Sequence, residues 1–283
     1  MDLQELYDGI DFFDDLSGSA LDKDLMIEAR RLEMEFFRRM GVYTKVHRSE
    51  VAKAGAKTIT TRWVDTNKGD LVSPNYRARL VGREMKTDNR LDLFAGTPPL
   101  EALKMVLSKC ASNQRGRQPY RVMTIDVKRT YFYAAAKRSV FIEIPAEDRV
   151  PGDENMVGRL NLSLYGTRDA AQNWTEEYTR TMVRAGFKVG KASPCDFYHE
   201  EWDVAVTVHG DDFTACGPES ALKTPEKALT EKYEIKVEIL GPEKGHKQEV
   251  RVLNRVLRWT PEGIEYEPDQ RHAELVIKEL GLE

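Results

Sequence analysis

The chain has 283 residues, a formal net charge of −4 and three cysteines, a length that suits one large domain or two modest ones with a proper core. The cysteines Cys110, Cys195 and Cys216 are far apart and odd in number, and no histidine pair has the helical spacing of metal ligands, which excludes a disulfide framework and a zinc knuckle from the prediction. The acidic start and the lack of a long uncharged run predict a protein of the cytoplasm or nucleus, neither secreted nor held in a membrane.

Charge is distributed unevenly along the chain. Residues 1–24 contain eight acidic residues and one basic residue, so this segment carries −7 and the remaining residues carry +3. We expect residues 1–24 to be a flexible acidic leader outside the core. Basic residues are frequent after residue 76, where they would supply salt-sensitive attraction to phosphates. The alternative is that they are scattered, solvated side chains.

The first two thirds of the chain show clear apolar periodicity. The predicted elements, in chain order, are a helix over Leu25–Met40 ended by Gly41, strands within 58–81, a helix opened by Pro98, a strand over Val122–Val127, and a helix carrying Ala170, Trp174, Tyr178 and Met182. Strands and helices are mixed without regular βαβ alternation, which indicates an α+β fold.

The last third is predicted to begin with a hairpin. The elements are arms over Val204–His209 and Asp212–Cys216, a helix within Glu219–Tyr233 that starts near Pro225 with Thr224 as its cap, a surface loop over Gly241–Lys247, strands on either side of an Asn254–Arg255 turn, a strand over Ile264–Tyr266, and a final helix with Ala273, Val276, Ile277 and Leu280.

The hairpin turn carries two adjacent carboxylates. Gly210 can supply the positive φ that a two-residue type II′ turn needs, which puts Asp211 and Asp212 at the tip. Two neighbouring anions repel each other, so either solvent screens them or a cation such as Mg²⁺ offsets them. A solvated surface turn remains the alternative, because aspartate favours turns for local reasons.

A third carboxylate, Asp126, ends the strand over Val122–Val127. Next to Asp211 and Asp212, it would complete a set that can bind two divalent ions about 3.5–4 Å apart, the arrangement used in phosphoryl transfer. Otherwise Asp126 is an ordinary residue at a strand end.

The order of segments resembles the reverse transcriptase of copia-type retrotransposon polyproteins from about residue 25 onward. The blocks that carry the resemblance are Arg62-Trp63-Val64, Tyr76-Arg77-Ala78-Arg79-Leu80-Val81, Ile125-Asp126-Val127-Lys128 with Tyr131, Phe141-Ile142-Glu143-Ile144-Pro145, Leu164-Tyr165-Gly166-Thr167-Arg168-Asp169-Ala170-Ala171-Gln172-Asn173-Trp174, and the hairpin itself. The resemblance implies a palm, which is an antiparallel sheet with helices on one face, and a fingers extension. Palm and fingers together would comprise 25–218, and a small part similar to a thumb or connection would comprise 219–283.

The resemblance also implies functional residues. Asp126, Asp211 and Asp212 would be the catalytic carboxylates and would hold two Mg²⁺, for which Mn²⁺ could substitute. Nucleotide-binding roles would fall to Tyr131, Arg77, Arg79, Lys68, Tyr165 and Gly166, with Tyr131 as the aromatic gate beneath the incoming sugar. Primer or template contacts would fall to His209, Gly210 and Arg168. The implied partners are deoxynucleoside triphosphates, an RNA or DNA template with its primer, and integrase and ribonuclease H domains on the parent polyprotein, with no membrane.

Three positions depart from the family pattern. His209 replaces the usual tyrosine before the two aspartates, Ala171 replaces a proline, and Thr66 replaces a lysine whose phosphate contact could move to Lys68. These departures keep a second hypothesis open, a degenerate copy that binds nucleic acid without catalysis. The Gly-Asp-Asp triplet also suits an RNA-templated RNA polymerase, which Tyr131 disfavours because its ring would block a ribose 2′-hydroxyl. A metal-dependent nuclease is a third alternative.

Overall fold

The computed structural model describes residues 3–70, 72–86, 93, 95–114, 118–267 and 270–282. No helix among these residues is long and apolar enough to cross a lipid bilayer. The helices and strands, in chain order, are α1 (Leu3–Leu6), β1 (Phe12–Phe13), β2 (Ala20–Leu21), α2 (Lys23–Met40), β3 (Tyr43–His47), α3 (Ser49–Lys53), β4 (Thr58–Ile59), β5 (Thr61–Asn67), β6 (Tyr76–Gly82), α4 (Leu100–Ser112), β7 (Tyr120–Val127), β8 (Phe141–Ile142), β9 (Met156–Leu160), α5 (Ala170–Arg184), β10 (Lys188–Val189), β11 (Asp196–His199), β12 (Val204–His209), β13 (Asp212–Pro218), α6 (Glu219–Thr230), β14 (Ile235–Leu240), β15 (Glu249–Val252), β16 (Arg255–Thr260), β17 (Gly263–Glu267) and α7 (Gln270–Glu279).

The chain divides into two compact units. The first comprises Met1–Phe94 and Tyr131–Trp174, and the second comprises Ala95–Thr130 and Thr175–Glu283. The sequence prediction placed a boundary at residue 218. In the structure the segments before and after that residue share the second unit, because the strand β14, which follows α6, pairs with β7 from earlier in the chain.

The second unit is built on a six-stranded sheet in the order β10-β11-β12-β13-β7-β14, in which every neighbouring pair is antiparallel. The α+β fold with an antiparallel sheet agrees with the sequence prediction. On one face, Ile125 and Phe213 are cross-strand partners and are buried. The Phe213 ring lies 5.6 Å from the ring of Tyr178, so α5 covers this face.

The opposite face is covered at one end and polar at the other. Val122 and Cys216 lie at the covered end and pack with Leu103 and Leu107 of α4 and with apolar residues of β15 and β16. Side chains alternate between faces along a strand, so residues at every second position after Val122 and before Cys216 face the same way. At the other end of this face lie the polar residues described below.

The first unit contains the helix α2 and the β5–β6 hairpin. The side chain of Asp22 accepts a hydrogen bond from the backbone N–H of Leu25 at the start of α2, and Gly41 ends the helix with φ 63°. A left-handed residue at this position is favourable for glycine, which has no Cβ to clash. The helix Leu25–Met40 is thereby confirmed, with its start two residues earlier. Its residue Phe37 packs in the core of this unit.

The acidic first segment belongs to this unit's core. Tyr7 and Phe12 are each 4% exposed and pack with Met26. The guanidinium carbon of Arg30 lies 5.0 Å from the ring centroid of Tyr7 and 4.7 Å from that of Phe12. The expectation of a flexible leader over residues 1–24 is therefore wrong for the part that the structure describes. The burial of two aromatic side chains stabilises this segment, and net charge alone did not reveal it.

Two predicted boundaries near the end of the chain are corrected. Pro225 lies inside α6, which starts at Glu219, and Pro225 is buried there, so tertiary packing overrides the local preference for a helix start. The β15–β16 turn is formed by Leu253 and Asn254, with φ of 51° and 61°, and not by an Asn–Arg pair. Positive φ at both turn residues is typical of a type I′ turn, which suits asparagine much better than leucine.

Candidate active site

The β12–β13 hairpin has the geometry that its sequence predicts. His209 and Asp212 are cross-strand partners, so the connecting loop is the two residues Gly210 and Asp211. Gly210 has φ 67°, a conformation that L side chains rarely adopt. The requirement for glycine at this turn is therefore a backbone requirement, and it fixes where the two aspartates lie.

Asp126 and Asp212 lie directly opposite each other on neighbouring strands. The β13–β7 register pairs Asp212 with Asp126 and Thr214 with Thr124, so both carboxylates project from the same face of the sheet. Directly opposite side chains have Cβ atoms about 4.5–5.5 Å apart. The backbone carbonyl of Asp211 accepts a hydrogen bond of 3.1 Å from the N–H of Val127, which ties the turn to the end of β7.

The charges of the three carboxylates act on one another. Partial burial, followed by the charges of Asp211 and Asp126, raises the pKa of Asp212 to about 6. Like charges held close together disfavour ionisation, and a divalent cation between them would reverse this effect. Hard carboxylate oxygens are also the donors that Mg²⁺ prefers. The facing carboxylates of Asp126 and Asp212, with Asp211 in the adjoining turn, therefore suit a divalent cation.

A cavity of about 380 Å³ adjoins Asp212 on the same face. Its apolar wall includes Leu103 and Leu253, and its polar wall includes Thr207 and His209. The Oγ1 atom of Thr207 and the Nδ1 atom of His209 are buried without a hydrogen-bond partner. His209, which departs from the family pattern, thus presents a polar atom with spare hydrogen-bonding capacity next to a carboxylate.

Sequence reasoning did not find the residues that β14 and β15 bring to this face. Lys236 of β14 is the register partner of Asp126, on the side opposite Asp212. Lys236 and Arg251 line a smaller cavity of about 180 Å³ together with Asp126 and Asp212. No local sequence signal could have indicated these neighbours, because the pairing of β14 with β7 joins segments about 110 residues apart.

The first unit contains the residues expected to bind the nucleotide. The guanidinium carbon of Arg79 lies 5.3 Å from the ring centroid of Tyr165, and the Tyr165 and Tyr131 rings are 4.5 Å apart. Gly166 has φ 80°, and a Cβ atom there would lie 2.1 Å from the carbonyl oxygen of Gly82. The structure therefore brings Arg79, Tyr165 and Tyr131 together, and Gly166 allows its segment to approach β6 closely.

Three more of the predicted residues lie in this unit. Arg77 is an exposed residue on the same face of β6 as Arg79, two positions away. Lys68 follows the end of β5 and donates its backbone N–H to the carbonyl of Asn75 at 2.9 Å. The backbone N–H of Arg168 donates to the carboxylate of Glu84 at 2.8 Å. Among the predicted nucleotide-binding residues of this unit, ring and guanidinium contacts join Arg79, Tyr165 and Tyr131.

Comparison with known proteins identifies relatives of the chain. It is 26% identical over 230 residues to the retrovirus-related Pol polyprotein from transposon TNT 1-94 of Nicotiana tabacum, a match that covers 78% of this chain and 16% of that polyprotein. The chain therefore spans about one sixth of the length of this relative.

Two solved structures show partial similarity. Apo telomerase from Candida tropicalis, truncated from its C-terminal domain, is 9% identical with a TM-score of 0.47, over 90% of this chain and 63% of that chain. The foamy viral protease-reverse transcriptase in complex with double-stranded DNA is 13% identical with a TM-score of 0.47, over 97% and 52%.

The family assignment rests on a profile match over most of the chain. The profile described as reverse transcriptase (RNA-dependent DNA polymerase) matches residues 42–244. This range contains all three carboxylates, both strands that carry them, and the Arg79–Tyr165–Tyr131 cluster. The chain belongs to the reverse transcriptase (RNA-dependent DNA polymerase) family.

Proposed function

We propose that this chain is the RNA-directed DNA polymerase segment of a retrotransposon polyprotein. The reaction is attack of a primer 3′-hydroxyl on the α-phosphate of a deoxynucleoside triphosphate, with pyrophosphate as the leaving group. The observation that carries the proposal is the direct cross-strand pairing of Asp126 with Asp212, next to Asp211 in the adjoining turn.

The three carboxylates would hold two Mg²⁺ ions, with Mn²⁺ as a possible substitute. Such a pair of ions stabilises the attacking and leaving oxygens of an in-line displacement. The contribution of the chain is to hold Asp126 and Asp212 on two paired strands, with Asp211 in the adjoining turn, before substrate arrives. The raised pKa of Asp212 supports this role, because burial and then the charges of Asp211 and Asp126 disfavour its ionised form, which a bound cation would favour.

The first unit would bind the incoming nucleotide. The guanidinium of Arg79 suits phosphate oxygens, and its contact with the Tyr165 ring restricts its motion. Arg77 and Lys68 would add further phosphate contacts. Tyr131 would lie beneath the sugar and exclude a ribose 2′-hydroxyl, while Gly166 would keep the adjacent backbone close to the nucleotide.

The hairpin turn would contact the primer. His209 and Gly210 precede the two aspartates, and the His209 side chain lines the cavity that adjoins Asp212, where it would meet the primer. Arg168 would contribute to template binding. Integrase and ribonuclease H domains are expected on the parent polyprotein, and the enzyme would act in the cytoplasm or the nucleus.

Primer extension on poly(rA) primed with oligo(dT) tests the proposal. We expect Mg²⁺-dependent incorporation of deoxynucleotides, a loss of at least about 1,000-fold in Asp211→Asn, and near-normal activity in Asp203→Asn. Asp203 is a suitable control because it lies just before β12 and is paired with Lys109. Tight primer-template binding without extension would support the degenerate-copy alternative instead. Preference for ribonucleotides would indicate an RNA polymerase, and cleavage without nucleotides would indicate a nuclease.

A further inference from the structure

The loop between β14 and β15 is closed by its own backbone. The N–H of Gly241 donates to the carbonyl of Lys247 at 3.2 Å, and the N–H of Lys247 donates to the carbonyl of Ile239 at 2.8 Å. The N–H of His246 donates to the carbonyl of Glu243 at 3.0 Å. These bonds hold the side chains of Glu243 and His246 on the same turn, so their relative position is set before any ligand arrives.

Three potential metal ligands converge at this loop. The Nδ1 atom of His246 lies 2.7 Å from a carboxylate oxygen of Glu243, and its Nε2 atom lies 3.3 Å from a carboxylate oxygen of Glu219 at the start of α6. One donor atom from each residue lies within 4.8 Å of the other two. The set combines an imidazole nitrogen with two carboxylates, donor types through which proteins bind zinc.

The imidazole of His246 is largely buried and lacks a hydrogen bond at Nδ1. Its side chain is only 10% exposed, and Nδ1 is buried without a hydrogen-bond partner despite the short separation from Glu243. A shared proton requires the N–H to point at the acceptor oxygen, which this geometry does not provide. A metal ion does not have to lie on the line between two of its ligands. It could therefore bind both His246 Nδ1 and the Glu243 carboxylate, which a shared proton does not join in this geometry.

The charged residues around the loop have an excess of negative charge, which favours a bound cation. Arg121 is 2% exposed, and its guanidinium donates to both carboxylate oxygens of Glu243 while stacking 5.1 Å from the ring centroid of Trp259. Hydrogen bonds from Arg121 lower the pKa of Glu243. Glu219 adds a second negative charge against the single charge of Arg121. With a neutral imidazole the set carries a net charge of −1.

We propose that Glu219, Glu243 and His246 form a binding site for a divalent transition-metal ion of the zinc class, distinct from the carboxylates of the proposed active site. Arg121 would orient Glu243 through its hydrogen bonds, since carboxylates that bind a metal are themselves commonly hydrogen-bonded by neighbouring residues. The ion would tie the β14–β15 loop to the first turn of α6. The imidazole donor selects zinc over Mg²⁺, which prefers oxygen ligands and retains its waters.

Calorimetric titration of the full chain with Zn²⁺ at about pH 7.5, in excess Mg²⁺ to occupy oxygen-donor sites, tests the site. We expect one Zn²⁺ site in the wild type and at least about tenfold weaker binding in His246→Gln and in Glu219→Gln. His47→Gln is the matched control and should bind normally, because His47 is exposed and contacts Ser49. Zn²⁺ should also raise the thermal midpoint of the wild type and of His47→Gln, but not of the two ligand variants.

Equal Zn²⁺ affinity in the wild type and His246→Gln, or no binding to the wild type, would overturn the proposal. If His246→Gln does not fold, Glu219→Gln decides the matter, since the Glu219 side chain is 44% exposed and its replacement leaves no buried gap. The result does not depend on polymerase activity, so failure of the zinc site and failure of the proposed function are separate outcomes.

Discussion

Replacing Asp212 with asparagine should stabilise the metal-free protein and abolish its activity. The pKa of Asp212 is raised from 3.8 to about 6, so between these values the folded chain binds more protons than the unfolded chain, and stability falls as the pH rises. Above about pH 6 the loss of stability caused by ionised Asp212 is fully present. At ~1.4 kcal/mol per pKa unit, this loss is at most about 3 kcal/mol. Because Asp212 is partly exposed, solvent screening should reduce this to about 1 kcal/mol.

Urea unfolding followed by circular dichroism measures the effect. Without divalent ions, Asp212→Asn should be more stable than the wild type by about 1 kcal/mol near pH 8, and the difference should vanish at about pH 3, below both pKa values. Asp203→Asn is the matched control with the opposite sign. Burial acts to raise the pKa of Asp203, but hydrogen bonds from Lys109, Tyr120 and Tyr198 outweigh it and lower that pKa, so this variant should lose stability near pH 8. An Asp212→Asn variant that is less stable than the wild type near pH 8 without metal would refute the reasoning.

Substitutions at four further positions test the surrounding residues. Gly166→Ala should lower the free energy of unfolding by more than about 2 kcal/mol, and with it the thermal midpoint, because the added Cβ would meet the carbonyl of Gly82. Gly210→Ala should lower it by only about 1 kcal/mol, because the space around Gly210 is open. Arg79→Ala should raise the KM for deoxynucleotides about tenfold or more, and an unchanged KM would remove Arg79 from the triphosphate site. Tyr131→Ala should admit ribonucleotides in primer extension while Tyr131→Phe still rejects them; equal discrimination in both would exclude the gate.

Local sequence patterns were sufficient to predict the hairpin of the candidate active site. The turn between β12 and β13 depends on Gly210 and its neighbours, so a few adjacent residues specify both the backbone and the position of Asp211 and Asp212. The helix α2 was equally predictable, because Gly41 ends it with a local left-handed conformation. In both cases the information lies within a few positions of the residue concerned.

Features that depend on pairing between distant segments were not predictable in the same way. Lys236 reaches Asp126 only through the β14–β7 register, and Arg121 meets Glu243 across more than a hundred residues. The burial of the acidic segment was not predicted for a related reason, since the Tyr7 ring packs against residues of α2, which lie further along the chain. Composition describes what a segment contains, whereas burial depends on which distant segment packs against it.

The polymerase function depends on Asp126, Asp211 and Asp212 holding divalent metal as one charged cluster. Nuclear magnetic resonance titration of the Asp212 carboxyl carbon, with and without Mg²⁺, measures this directly. We expect a pKa near 6 without metal that falls to or below its ordinary value of 3.8 when Mg²⁺ is present. A pKa that is ordinary without metal, or one that Mg²⁺ leaves unchanged, would show that these carboxylates do not form a metal site.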